Sequence, residues 1–209
     1  MQRLTSPARH ADGPAPAAGR PPRLAAVTLV ACGWGLLYAL YRGYYGLGGT
    51  AGMIGTPASQ VQWRTVNLAA AAVLLVAAVL PAVMLPWWRR ARLRPLLLVL
   101  CWLVAVGCIM HGVIDDVQRV LSLTGVLDIR YPAAQWVTLD RHAADVQDLV
   151  FNESWFLAEG LLWATLGWLA IGRPARRRWW AGSGAAAVAA LTAIGLLSAF
   201  GVIGAAVIG

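Results

Sequence analysis

Residues 66–85 read VNLAAAAVLLVAAVLPAVML, a stretch of 20 residues without a charged side chain. A helix needs ~20 such residues to cross a membrane, because it must cover ~30 Å of hydrocarbon at ~1.5 Å per residue. Four further apolar stretches flank this one, at 24–41, 96–114, 150–171 and 179–208. Hydrocarbon offers the backbone no hydrogen-bond partner, so each stretch should be a helix. The sequence therefore predicts an all-α, membrane-spanning bundle of five transmembrane helices.

The composition favours a single membrane domain. Of 209 residues, 59% are hydrophobic and only 12% are charged, which leaves too little polar chain for a separate soluble domain. Residues 1–23 are rich in Pro, Ala and Arg without apolar periodicity, and we expect a disordered cytoplasmic tail there. The apolar run that follows is too long for a typical signal peptide and lacks a cleavage site. Residues 24–209 should therefore form one five-helix transmembrane domain.

Arginine is distributed unevenly between the two ends of the predicted bundle. Twelve of the 17 arginines precede the first stretch or lie between the second and third and between the fourth and fifth. The other loops hold five arginines and most of the acidic residues. The positive-inside rule then places the N-terminus in the cytoplasm and the C-terminus outside. The net charge of +8 has this topological explanation and does not indicate nucleic-acid binding.

Sequence features that indicate cofactors in other proteins are missing from this chain. The glycine-rich segment at 46–55, GLGGTAGMIG, matches neither the P-loop nor the dinucleotide fingerprint, and it predicts tight turns. Cys32, Cys101 and Cys108 lie inside apolar stretches without CxxC spacing, so they indicate neither a disulfide nor a thiolate metal site. A single intramembrane histidine and the lack of a CxxCH motif argue against haem. We expect no cofactor.

Small residues follow one face of the last apolar stretch. They are Gly184, Ala187, Gly195, Ser198 and Ala205. In a membrane, small side chains let two helices approach closely and gain van der Waals contact. We expect this face to pack inside the bundle, with a homo-oligomer through the same face as the alternative.

The polar residues of the third and fourth stretches are hard to explain by helix packing alone. Offsets of three and four residues place Cys108, His111 and Asp115 on one face of the third helix. Asn152 and Glu159, seven residues apart, share a face of the fourth. A charge in hydrocarbon costs about 2.5 to 3.5 kcal/mol on insertion scales, so Glu159 should face the bundle interior. We predict that His111 and Glu159 meet in the outer half of the membrane.

These side chains predict an outer-leaflet cavity between the first, third and fourth helices. Its candidate ligand-binding residues are Arg42, Tyr45, His111, Asp115, Asn152 and Glu159. Arg42 would contact an anionic group, and the ligand would be a membrane lipid or a small lipophilic molecule. Glu159 and His111 are also the candidate catalytic residues. Alternatively, Glu159 pairs with Arg42 or His111 only to hold the bundle together.

Acidic residues outside the apolar stretches raise the question of a metal site, because carboxylate and imidazole groups bind divalent ions. Six side chains could contribute to such a site, and three of them follow a three-residue spacing: His142, Asp145 and Asp148. The other three are Asp115, Asp116 and Glu153. No HExxH or EF-hand pattern accompanies them, and acidic outer loops already follow from the topology. We therefore predict a solvated face and no metal site. Asp140 or Thr138 should cap the helix that leads into the fourth stretch.

Two segments resemble a family of small multi-pass bacterial membrane proteins known only as a domain of unknown function: LLYALYRGYYGLGGTAG at 36–52 and FNESWFLAEGLLW at 151–163. The similarity lies in an aromatic-Arg-aromatic-GLGG end of the first helix and an Asn-x-x-Trp-Phe-Leu start of a later one. It implies a multi-pass protein of the bacterial cytoplasmic membrane and no particular activity. A looser similarity is to the emopamil-binding type of sterol isomerase. The matching chemical types there are His111, Asp115, Asn152 and Glu159.

Three functions are consistent with the predicted cavity. The first is a non-enzymatic membrane protein that binds a small or lipidic ligand for transport or sensing. The second is a membrane-embedded, isomerase-like enzyme for a lipid-soluble substrate, in which Glu159 and His111 exchange a proton. The third is a structural subunit of a membrane complex. The residues leave the choice among these three open.

Overall fold

The computed structural model describes residues 22–128, 131 and 134–201. The predicted tail at 1–23 lies outside these residues, apart from its last two, which begin the first helix. The helices are α1 Pro22–Gly46, α2 Gln60–Met84, α3 Arg94–Leu123, α4 Arg141–Gln147, α5 Glu153–Ala170 and α6 Pro174–Ala199. Five of them are long, and α4 is a short helix that leads into α5. The predicted all-α bundle with five long helices is confirmed.

Four of the long helices, α1, α2, α3 and α6, are long and apolar enough to cross a membrane. The remaining one, α5, is shorter at 18 residues and carries two acidic residues, Glu153 and Glu159. It also holds Trp163, the largest fully buried side chain of the described residues. Polar residues of a membrane helix face the bundle interior. A position in the interior of the bundle suits α5, because this helix contacts both α1 and α3.

The long helices differ from their predicted bounds, and the largest differences are in α2, α3 and α6. α2 begins at Gln60 instead of 66, because Ser59 caps it by accepting a hydrogen bond from the Gln62 amide at 3.2 Å. α3 continues to Leu123 instead of ending at 114, since Asp115 finds partners one turn away on the same helix. The prediction that the last helix reaches 208 is wrong: α6 ends at Ala199, and residues 202–209 lie outside the described part of the chain.

The loop after α1 pairs with the loop before α4. β1, Gly55–Pro57, runs antiparallel to β2, Trp136–Leu139, and this two-stranded sheet was not predicted. The glycine-rich segment that leads into β1 turns as predicted, with φ of 100° at Gly48 and 75° at Gly52. Both angles are in the left-handed region that favours glycine. The strand pairing closes one end of the bundle over the last turns of α1.

α1 packs along α2, and α3 packs along α5. The second contact is close because of Gly160 on α5. A methyl group there would lie 2.6 Å from Ile109 Cγ1 and 3.1 Å from the carbonyl oxygen of Ala105. Small residues at helix crossings bring two backbones together in this way. The approach of α3 to α5 sets the positions of the polar side chains beyond it.

The buried apolar core lies towards the arginine-rich end of the bundle. Its members are Leu24, Ala31, Met84, Leu97, Cys101, Ala105, Trp163 and Leu166. Cys32, Cys101 and Cys108 are free thiols, as expected from their spacing. Because the apolar core occupies this end, polar side chains collect at the opposite end, near the sheet.

α6 rests on α3 through the small residues that the sequence singles out. A methyl group on Gly184 would lie 3.4 Å from Trp102 Nε1, and one on Gly195 would lie 2.4 Å from Ile114 Cδ1. Trp102 Nε1 also donates a hydrogen bond to Ser183 Oγ at 3.1 Å. This part of the small-residue face therefore packs inside the bundle, whereas Ala205 is outside the described residues. A homo-oligomer through the face stays a prediction.

Candidate functional site

A π-helical turn, Asp148–Asn152, joins α4 to α5. Its backbone hydrogen bonds span five residues instead of four, and such turns are frequent at functional sites. Asn152 Nδ2 donates a hydrogen bond to Asp148 Oδ1 at 2.6 Å. Asp140 begins the preceding α4 by accepting from the Ala143 amide at 3.0 Å, so one of the two predicted caps is confirmed. The wide turn presents Asp148 and Asn152 to α1.

Aromatic side chains of α1 face this turn and the start of α5. The Trp34 ring stacks on Trp155 with a centroid distance of 4.0 Å, and Trp34 Nε1 donates to the Trp155 carbonyl at 3.2 Å. Tyr38 stacks on Trp155 from the next turn of α1, and its hydroxyl donates to Asn152 Oδ1 at 3.3 Å. These contacts hold α1 against α5 at the polar end of the bundle.

Arg119 of α3 joins the turn from the other side. Its Nη2 lies 3.0 Å from Asp148 Oδ2, and its Nη1 lies 3.4 Å from Asp145 Oδ1. Asp145 also accepts hydrogen bonds from Ser122 Oγ at 2.5 Å and from the Tyr131 hydroxyl at 2.7 Å. The prediction of a solvated face is wrong for Asp145, which is only 3% exposed. Its three donors compensate for the loss of water.

Tyr131 closes this network from the segment before β2. Burial raises the pKa of Tyr131, and the hydrogen bond that its hydroxyl donates to Asp145 raises the pKa further. The guanidinium of Arg119 stands 4.9 Å from the centroid of the Tyr131 ring, a cation–π distance. The cation opposes the rise in pKa, and burial outweighs it.

The polar side chains line two neighbouring clefts. The first, about 570 Å³ in volume, lies between α1, α2 and the start of α5. Its polar lining consists of Tyr38, Arg42, Asp148, Asn152 and Glu153, and α2 supplies an apolar wall of Ala69, Ala70, Val73 and Leu74. The second, about 200 Å³, shares Arg42, Asp148 and Asn152 and reaches Tyr45 and the sheet loops. The cavity was predicted between α1, α3 and α5, whereas the larger cleft of the structure lies between α1, α2 and the start of α5.

Arg42 is the central cation of these clefts. It is half-buried on the last turns of α1 and lines both of them. Within the described ranges its guanidinium has no carboxylate within 4.0 Å and makes no side-chain hydrogen bond. Asp148, the acidic residue common to both clefts, is engaged by Arg119 instead. The clefts therefore contain one positive charge that the described chain leaves unneutralised.

The sequence model of a family described as "Protein of unknown function (DUF3995)" matches residues 35–152. The chain belongs to this family. The predicted resemblance to a family of unknown function is thereby confirmed. The matched segment runs from α1 to the end of the π-helical turn, so it contains Arg42, Tyr45 and Asn152 but not α5 or α6. No curated protein and no solved structure matches this DUF3995 protein.

The six side chains predicted to bind a ligand divide into two groups in the DUF3995 protein. Arg42, Tyr45 and Asn152 line the clefts, and the Tyr45 hydroxyl also donates to the Ala51 carbonyl at 3.0 Å. His111, Asp115 and Glu159 are not lining residues of either cleft. The structure thus groups three of the six side chains around the clefts, and ligand binding by any of the six stays a prediction.

The structure does not bring His111 and Glu159 together. His111 lies between two other carboxylates: its Nδ1 is 3.2 Å from Asp115 Oδ2, and its Nε2 is 3.6 Å from Glu153 Oε2. Glu159 Oε1 accepts a hydrogen bond from Trp163 Nε1 at 2.7 Å, one turn further along α5. Glu153 precedes Glu159 by about two turns of α5. It lies beside the imidazole because it is at the same height in the bundle as His111.

Several residues of the site were missed at the level of the sequence. They are Tyr38, Arg119, Asp145, Asp148 and Glu153. One signal was present: Arg119 follows Asp115 by four residues, a spacing at which opposite charges stabilise a helix. It indicates that α3 continues past Ile114. No local pattern places Asp148 opposite Arg119, because that contact depends on the packing of α3 against α5.

Proposed function

We propose that this DUF3995 protein binds an anionic lipid, or a lipophilic molecule with an anionic group, in the clefts around Arg42, for transport or sensing. The observation that carries the proposal is Arg42 itself, a half-buried cation without an ionic partner among the described residues. Charged side chains within membrane segments pair with a partner or mark a ligand pathway. Guanidinium groups bind phosphate and carboxylate with two parallel hydrogen bonds.

The shape of the larger cleft suits an amphiphile. One side is polar, with Tyr38, Arg42 and Asn152, and the other is the alanine and valine surface of α2. A headgroup at Arg42 would leave an acyl chain against this apolar wall. The two carboxylates of the cleft have partners of their own, since Asp148 pairs with Arg119 and Glu153 lies beside His111. An anionic headgroup is thus compatible with them.

We also propose the orientation of the protein in the membrane. Arginines concentrate on the cytoplasmic side of membrane proteins. Nine described arginines belong to the end opposite the clefts: Arg23, Arg89, Arg90, Arg92, Arg94, Arg173, Arg176, Arg177 and Arg178. The clefts would then open at the outer face of a bacterial cytoplasmic membrane, with the N-terminus inside. The proposed ligand would enter from the outer leaflet.

Acid–base catalysis by His111 and Glu159 has less support. Proton exchange between two groups needs a hydrogen-bond distance or one bridging water. His111 is engaged by Asp115 and Glu153, while Glu159 accepts from Trp163. A role as a subunit of a larger complex has no specific observation in its favour.

Native mass spectrometry of the detergent-purified protein tests the proposal. The probes are phosphatidylglycerol, which is anionic, and phosphatidylcholine with the same acyl chains, which is zwitterionic. We expect the wild type to bind phosphatidylglycerol more tightly than phosphatidylcholine. In Arg42→Gln the ratio of the two affinities should fall about tenfold, because a hydrogen bond to a charged group contributes about 1.5–3 kcal/mol.

Arg64→Gln is the matched control, since Arg64 is an exposed arginine at the same end of the bundle that does not line the two clefts. It should retain the wild-type preference. Equal binding of the two lipids by the wild type, or an equal loss in both variants, would contradict the proposal.

A further inference from the structure

His111, Asp115 and Glu153 form a compact cluster behind the larger cleft. His111 and Asp115 are one turn apart on α3, and Glu153 reaches them from the first turn of α5. One candidate ligand atom from each residue lies within 4.8 Å of the other two. Side chains on facing helices of a bundle commonly build metal sites in this way.

The distance between His111 and Glu153 suits two ligands of a common ion better than it suits a direct hydrogen bond. His111 Nε2 and Glu153 Oε2 are 3.6 Å apart, beyond the usual range of an N–H···O bond. Two ligands at ~2.1 Å from one tetrahedral ion are roughly 3.4 Å from each other, and ligands on opposite sides are roughly 4.2 Å apart. The 3.6 Å between His111 Nε2 and Glu153 Oε2 therefore already fits two ligands of one ion.

Glu153 is the side chain that most needs such a partner. It is only 8% exposed, and its Oε2 is buried without a hydrogen bond in the described part of the protein. A buried carboxylate is unfavourable unless it is paired or coordinates a metal. The same oxygen points at the imidazole, so the unsatisfied acceptor faces the centre of the cluster.

The charges around the cluster also favour a cation. Two of its members are acidic, Asp115 and Glu153, and three further acidic residues lie nearby: Asp116, Asp145 and Asp148. The arginine that ion-pairs in this region of the described chain is Arg119, and it is shared between Asp145 and Asp148. Among basic side chains, Asp115 and Glu153 are thus left with His111, whose imidazole is 48% exposed. Asp115 Oδ1 also accepts a hydrogen bond from the neutral Gln118 Nε2 at 3.2 Å. A divalent ion would neutralise both carboxylates.

We propose that His111, Asp115 and Glu153 bind one divalent transition-metal ion. Imidazole nitrogen favours ions such as Zn²⁺ over Mg²⁺ and Ca²⁺, which prefer oxygen ligands alone. The ion takes His111 Nε2 beside Glu153 Oε2, and Asp115, at Nδ1, accepts the hydrogen of that nitrogen and fixes the ring orientation. The half-exposed imidazole provides a route of entry, and water completes the coordination. The ion would bridge α3 and α5.

Zinc binding to the full-length protein, stripped with EDTA and purified in detergent, tests this site. A chromophoric zinc chelator reports the competition. We expect one Zn²⁺ per chain in the wild type and at least about tenfold weaker binding in His111→Ala, Asp115→Asn and Glu153→Gln, because each variant removes a ligand or the carboxylate that orients the imidazole. Mg²⁺ at the same concentration should not displace Zn²⁺.

Two variants serve as matched controls. His142→Ala removes an exposed histidine outside the cluster, and Glu159→Gln removes the other carboxylate of α5. Both should bind Zn²⁺ as the wild type does. Arg42→Gln should also leave zinc binding unchanged, so the proposal of a metal site and the proposal of a lipid cleft are tested independently.

Absence of stoichiometric Zn²⁺ binding by the wild type would overturn the proposal. So would a His111→Ala variant that binds as tightly as the wild type, or a His142→Ala variant that loses the ion. If His111→Ala does not elute as a folded protein, the melting temperature decides instead. Zn²⁺ must then raise it in the wild type and not in Glu153→Gln, because an ion that binds the folded state stabilises it; no rise in the wild type contradicts the site.

Discussion

Arg119 on α3 and Asp148 in the π-helical turn form an ion pair, with 3.0 Å between Nη2 and Oδ2. The two residues are 29 positions apart in the chain and come together only in the folded bundle. Both side chains are largely buried, at 16% and 19% exposure. The pair fixes the turn against α3 and gives the Asp148 carboxylate, which lines the clefts with Arg42, a cation other than Arg42.

Arg119→Gln should destabilise the protein more than Asp148→Asn. The first variant leaves the carboxylates of Asp145 and Asp148 without their cation, and breaking a buried ion pair in this way costs about 3 kcal/mol. Asp148→Asn leaves Arg119 with Asp145 and should cost about 1 kcal/mol. Unfolding in detergent measures both, and the exposed Arg141–Asp128 pair provides a control whose loss should matter less. Equal effects of the two substitutions would show that Asp145 does not share the cation.

Tyr131→Phe should lower stability in a pH-dependent manner. At neutral pH the variant loses the hydrogen bond to Asp145 and about 1 kcal/mol. The pKa of Tyr131 is raised in the folded protein, so above pH ~10 the unfolded chain loses this proton while the folded state keeps it. The free energy of unfolding of the wild type therefore falls with rising pH in that window, and the gap between wild type and variant narrows.

Thermal unfolding of both proteins between pH 7 and pH 11 measures the gap. Tyr44→Phe is a suitable control, because Tyr44 is exposed and binds backbone amides of its own loop. A gap that stays constant over the whole range would contradict the interpretation of the Tyr131–Asp145 contact.

The helices were predictable because two local properties of the sequence determine them. One is the length of an apolar segment, and the other is that its backbone hydrogen bonds form within the segment. The uncharged stretch at 66–85 lies within α2, and the glycine-rich segment turns where its glycines allow it. The ends were less predictable. Ser59 moves the start of α2 outwards, and the partners of Asp115 carry α3 past its apolar part. Hydropathy reports the apolar portion of a helix and says little about its polar last turns.

The site was predictable in its residue types and not in its pairings. Arg42 and Asn152 were identified because polar side chains at the end of an apolar helix need an explanation, and both line the clefts. The prediction chose Glu159 as the partner of His111, whereas the structure has Glu153 in that place because of the helix phase of α5. The π-helical turn shifts the register of α5 relative to α4, and the approach at Gly160 sets its height against α3.

Gly160→Ala should destabilise the contact between α3 and α5. The added methyl would lie 3.0 Å from the Ile109 amide nitrogen and 3.1 Å from the Ala105 carbonyl oxygen, so backbone atoms would have to move. Overpacking of this kind costs about 1–3 kcal/mol. Gly107→Ala on α3 is the matched control, because a methyl there meets nothing within 4 Å and alanine favours the helix. The melting temperature should fall for Gly160→Ala alone, and equal shifts would show that close approach is unimportant.

Glu159→Gln should leave the folded bundle intact. Glutamine retains an oxygen that can accept from Trp163 Nε1, and it removes a carboxylate whose Oε2 is buried without a partner. We expect the free energy of unfolding to stay within about 1 kcal/mol of the wild type, because removing an uncompensated buried charge offsets the loss of a charged acceptor. Glu159→Ala, which also leaves the Trp163 donor unsatisfied, should cost about 1–3 kcal/mol. If Glu159 instead held the bundle through Arg42 or His111, neutralising it would break a buried ion pair. Glu159→Gln would then lose about 3 kcal/mol or more in the same unfolding measurement.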